Sequence, residues 1–173
     1  MSDSDHQPDG GRPRPVSTVL DVLRTRIDPD TFDVAIFSLE AVAADLGYGD
    51  VRPLPGSIAW IDQLRSDHKR TAVLASAERV TAALELAGIT DRFDKVVTGA
   101  HAEQLVPRAL EELDVDPEEA VFVGVDQFEL EAAREAGAGL VIGVARGRST
   151  PEQLRRAGAD TVVADLQELL GST

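Results

Sequence analysis

Along this chain, short all-apolar runs alternate with stretches in which apolar residues recur every three or four positions. The runs Val34–Phe37, Thr71–Ala75, Val96–Val97, Ala120–Val125, Leu140–Val144 and Thr161–Val163 predict buried strands. Between them, Ile58, Trp60, Ile61 and Leu64 predict a helix over 57–65. Val80, Ala83, Leu84 and Ala87 predict a second, closed by Gly88. Val106, Leu110 and Leu113 predict a third that starts near Pro107, with the proline at the first helical position. A fourth is expected over 129–136 before Gly137, and a fifth over 151–157 with Pro151 in its first turn. Asp165 is placed to N-cap a last helix ending at Gly171. Residues 41–50 read as a plain connection ending in Gly47-Tyr48-Gly49-Asp50.

Strands alternating with helices imply a three-layer α/β/α, doubly wound parallel sheet. In such sheets the functional crevice lies beyond the carboxyl ends of the strands. Ser38, Ser76, Thr98, Val125 with Asp126, and Ala145 with Arg146 are therefore expected to converge. Residues 1–16 hold almost nothing apolar and read as a disordered tail. Residues 17–28 read as a short amphipathic helix built on Val19, Leu20, Val22, Leu23 and Ile27, stopped by Asp28-Pro29. It is expected to pack on the edge of a core domain over 29–173, or else to serve as a docking segment.

Composition narrows the function classes. The chain has 173 residues, enough for one domain with a real core. A formal charge of −14 disfavours nucleic acid, which needs clustered cations against phosphates. No apolar run is long enough to span a bilayer and none follows Met1, so no membrane role is expected and the expected location is the cytoplasm. With no cysteine there is neither a thiolate metal site nor a cysteine nucleophile. Only two lysines occur, Lys69 and Lys95.

Specific stretches go further. Pro55-Gly56 precedes the Trp60 helix, and Ala87-Gly88-Ile89 is followed by Phe93-Asp94-Lys95-Val96-Val97. Leu113-Asp114-Val115-Asp116-Pro117-Glu118, Glu131-Ala132-Ala133-Arg134-Glu135-Ala136-Gly137 and Val144-Ala145-Arg146-Gly147 follow in order. From Phe32 to Leu170 the chain resembles the β-phosphoglucomutase-like branch of the haloacid dehalogenase (HAD) hydrolases. The resemblance implies a Rossmann-like core. It also implies a Mg²⁺-dependent phosphatase or phosphomutase chemistry, in which a carboxylate at the end of the first strand attacks phosphorus.

The positions that would carry that chemistry depart from the pattern. Ser38 stands where the resemblance implies the nucleophilic Asp, and Glu40 where it implies the Asp acting as general acid and base. The second of these positions would also lend its backbone carbonyl to Mg²⁺. Ser76, followed by the backbone of Ala77, matches the phosphate-binding Ser or Thr. The expected lysine falls near Ala100 and His101, and Lys95 belongs at the other end of the sheet, leaving Arg108 or Arg146 to reach inward. Val125 takes the place of a metal-binding Asp, with Asp126 one residue late as the remaining metal candidate. Only residues 41–54 fill the gap where relatives of this branch carry a helical cap. The reading is a cap-less, catalytically inactive HAD-like domain with a binding, assembly or regulatory role and no cofactor. Its tail or its open crevice would meet a protein partner or a second copy. The alternative is an active Mg²⁺-dependent enzyme that relies on Glu40 and Asp126.

Overall fold

The computed structural model describes residues 32–75, 77–99 and 101–170. The expectations for the tail over 1–16 and the amphipathic segment over 17–28 fall outside them. Six strands form one parallel sheet: β1 (Val34–Ser38), β4 (Arg70–Ala75), β5 (Lys95–Thr98), β6 (Ala120–Gly124), β7 (Leu140–Val144) and β8 (Thr161–Val163). Their spatial order is β5-β4-β1-β6-β7-β8, so β1 is central and the winding reverses beside it.

Alternation along β1 divides the core. Ala35 and Phe37 join one apolar cluster, and Val34 and Ile36 the other, because successive strand residues face opposite sides. On the first face lie α1 (Pro55–Ser66), α2 (Ala77–Ala87) and a 3₁₀ turn over Leu166–Leu169. There the Phe37 ring meets Trp60 edge-on at 5.9 Å between centroids. On the second face lie α3 (Ala102–Leu113), α4 (Gln127–Glu135) and α5 (Pro151–Arg156). Helices on both faces complete the three-layer, doubly wound architecture.

Four details differ from the expectation. The third helix starts at Ala102, and Pro107 lies inside it. Burial of Leu105, Val106, Ala109, Leu110 and Leu113 outweighs the one backbone donor that proline removes, and the ring stays exposed. The connection over 41–50 contains half of an antiparallel hairpin, β2 (Ala43–Asp45) and β3 (Val51–Pro53). Its tip holds Gly47, Tyr48 and Gly49, all at positive φ. The last helix is only the 3₁₀ turn, although Asp165 does cap it through a reciprocal pairing with Glu168. Finally, α4 begins two residues early because Asp126 caps it.

Between β1 and α1 there is thus a single 3₁₀ turn (Leu39–Ala41) and the hairpin, with no helical cap.

Candidate functional site

The register brings the expected residues to one end of the sheet. Ser38 pairs with Leu74, Phe37 with Val73 and Val123, Ala75 with Thr98, and Gly124 with Gly143. Strand ends of β1, β4, β5, β6 and β7 therefore open on a common crevice.

Ser38 is buried. It is the last residue of β1 and only 2% accessible. Its parity is that of Val34 and Ile36, which turns its side chain to the α3–α4–α5 face. Its Oγ is fully buried and makes no hydrogen bond. Glu40 sits half-buried in the 3₁₀ turn that follows.

Asp126 follows the end of β6 and opens α4. As N-cap of α4 it accepts the Phe128 N–H at 2.7 Å, so its carboxylate serves the helix end. Val125, at the neighbouring position, is 5% accessible and joins the apolar core.

The residue that sequence reasoning missed is Glu129. From the first turn of α4 its Oε1 folds back over the end of β6 and accepts the Val125 N–H at 3.1 Å. Gly124 makes this approach possible, because a Cβ there would stand 2.8 Å from Oε1. Burial first, then the charges of Glu40 and Asp126, push the Glu129 carboxyl up to about 7. The Val125 N–H opposes that rise, as does the nearby Ser38 hydroxyl, which favours the charged form without reaching bonding geometry. The signal was present in Asp126-Gln127-Phe128-Glu129, a cap residue followed three positions later by a glutamate.

Arg146 reaches inward from the loop after β7. Its Nη1 donates to the backbone carbonyl of Glu40 at 3.0 Å, although the side chain stays largely exposed. Arg108 stays at the rim, donating to the Thr98 carbonyl at 2.8 Å and pairing with Glu112. His101 is exposed at the start of α3 and its ring makes no capping bond. Lys95 opens β5, at the end of the sheet away from the crevice. Ser76 and Ala100 lie outside the described residues; Ala77 is described only as the first residue of α2.

These groups fit Mg²⁺ poorly. The Glu40 carbonyl holds a guanidinium, the Asp126 carboxylate holds an amide, and Val125 offers no oxygen ligand from its side chain. Among the described residues no cluster of three or more His, Cys, Asp or Glu side chains could hold a metal.

A family model for haloacid dehalogenase-like hydrolases matches residues 25–142. The chain belongs to that family. A phosphoglycolate phosphatase of Cupriavidus necator is 31% identical over 92% of this chain and 71% of its own length. A trehalose-phosphate phosphatase of Mycobacterium leprae is 32% identical over 85% of this chain but only 34% of its own length. This HAD-family chain thus spans about a third of that longer relative. Among solved structures, one assigned to a β-phosphoglucomutase of Thermotoga maritima superposes with a TM-score of 0.70 at 17% identity, covering 80% of this chain and 97% of its own. A HAD hydrolase of Deinococcus radiodurans with bound phosphate and sodium gives 0.69 at 17% identity, covering 80% and 93%. Both show the shared fold.

Proposed function

We propose that this chain is a HAD-family domain that has lost phosphoryl transfer and serves in binding, assembly or regulation. The observation that carries the proposal is the Arg146 contact to the Glu40 carbonyl. In the resemblance that oxygen belongs to Mg²⁺; here a fixed positive charge takes it and repels a divalent ion from the same place. Two further features support it. The buried Ser38 hydroxyl lacks both a carboxylate's nucleophilicity and a partnered base, and the Asp126 carboxylate is committed to a helix cap. The crevice end that lacks a helical cap is then a surface for a protein partner or a second copy, with the hairpin and its exposed Tyr48 beside it.

One observation favours a second reading, an active phosphatase or phosphomutase with relocated groups. Glu129, with its carboxyl near 7 and close to Ser38 and Glu40, has the proton affinity of a general base. The test is hydrolysis of an aryl phosphate with Mg²⁺ by the full chain, beside the Glu129→Gln variant. The expected result is no turnover above the Mg²⁺ blank for either protein. Turnover by the native chain that Glu129→Gln abolishes overturns the proposal in favour of the second reading.

A further inference from the structure

At the end of the sheet opposite the crevice, a groove of about 420 Å³ opens between the C-terminal ends of α3 and α4. Its apolar wall is Pro107, Leu110, Val115, Pro117 and Ala136. Its rim is acidic throughout: Glu111, Asp114 and Asp116.

Three observations say what covers it. The first is charge. Two helices present their C-terminal carbonyls there, the negative ends of their dipoles. The last turn of α3 holds no basic residue of its own, Arg70 from β4 reaching only its Leu113 carbonyl at 2.6 Å, and in α4 Arg134 is already engaged by the Gly158 carbonyl and Asp160. Beside the groove, Asp33 first, then burial and Asp116, hold the Glu119 carboxyl above its ordinary range, so the acids there repel one another. The second is continuity. Asp33 N–H donates to the Glu119 carbonyl at 2.8 Å, and Glu119 closes the 3₁₀ turn, Pro117–Glu119, whose start lines the groove. Asp33, near the start of the described residues, is thus tied to the turn that begins at the groove, while the Phe32 ring packs on the opposite face. The third is the content of that chain. Val19, Leu20, Leu23 and Ile27 recur at helical spacing. Over residues 12–27 there are four arginines against one aspartate, in a chain of net charge −14. The link from Ile27 to Phe32 reaches about 17 Å when extended, which sets how far from Phe32 the segment can sit.

We infer that the segment Val19–Ile27 docks as an amphipathic helix on this groove of its own domain. Its apolar stripe covers Leu110, Val115 and Pro117, and Arg24 and Arg26 meet Glu111, Asp114 and Asp116. The occupant is thus a basic amphipathic helix supplied in cis. The inference does not depend on whether the crevice catalyses.

The chain has no cysteine, so an engineered pair reports proximity without background. In the full chain, Leu23→Cys is combined with Val115→Cys at the groove. In a control it is combined with Leu86→Cys, an exposed position on α2 across the sheet. Mild oxidation followed by mass spectrometry is expected to give an intramolecular disulfide on the order of tenfold faster for the groove pair, through its higher effective concentration. Equal rates for the two pairs overturn the inference, and so do disulfide-linked dimers, which assign the groove to a second copy. Hydrogen exchange on the unsubstituted chain provides a check free of mutation. Residues 19–27 are expected to be protected, and exchange at unfolded-peptide rates beside a protected sheet also overturns it.

Discussion

Glu129 is buried at a cost that grows with pH, and Glu129→Gln removes that cost. A carboxyl moved from 4.5 to about 7 by folding is one whose charge the folded state disfavours. Below about pH 4.5 the group is protonated in both states and contributes nothing. Between 4.5 and 7 the unfolded chain releases the proton while the folded one keeps it, so stability falls as pH rises. Above 7 the full penalty is present. At 1.36 kcal/mol per pH unit the ceiling is about 3 kcal/mol, and residual solvent around the carboxylate brings the expectation to about 1–3 kcal/mol. Gln keeps an oxygen for the Val125 N–H while removing the charge. Urea unfolding of both proteins from pH 4 to 9 is the assay. The expected difference is near zero at pH 4 to 4.5 and grows in favour of the variant up to pH 8, where its melting point lies about 2–10 °C higher. A variant less stable than the native chain at pH 8, or a difference independent of pH, refutes the claim that a buried charge strains this site.

Other substitutions report on neighbouring features. Ser38→Ala is expected to be neutral or stabilising by about 1 kcal/mol in urea unfolding, because it removes a buried hydroxyl that makes no bond. Arg146→Ala is expected to cost no more than about 1–2 kcal/mol yet to speed hydrogen exchange over residues 40–42, where the tie to the Glu40 carbonyl is lost. Gly139→Ala is expected to cost about 3 kcal/mol or more, since its Cβ would collide with the Glu118 carbonyl, a backbone group that cannot turn aside. Phe37→Ala, which empties the ring site against Trp60 and Phe93, is expected to cost about 3–5 kcal/mol in the same measurement.

The scaffold was legible because its residues act through burial, which leaves a periodic trace. The apolar runs that became β1, β4, β6 and β7 face helices on both sides and so lack any alternation to confuse. The β2–β3 hairpin was invisible for the opposite reason: its three-residue strands are too short to carry a period, and only its glycines marked a turn. Pro107 misled because its preference for a first turn is local, whereas the start of α3 follows from Leu105 and Val106 meeting the sheet. At the site, counting along the strands put Asp126 one residue late, and its carboxylate caps α4. Glu129 left one signal there, its three-residue spacing from the cap Asp126, and chain order allowed Arg146 to reach inward without showing where it ends. Its partner, the Glu40 carbonyl, lies 106 residues away, a separation that no local spacing encodes.

The central position of β1 has a consequence for the order in which the chain can fold. Val34 to Phe37 pair with β4 on one edge and with Ala120 to Val123 on the other. During synthesis from the amino end, the first edge finds its partner once Ala75 has emerged, while the second stays open until Gly124 has followed. Throughout that interval the nascent chain displays an unpaired apolar strand, the form that most readily joins a strand of another molecule. The final sheet closes on contacts far apart in sequence, which makes for slow folding.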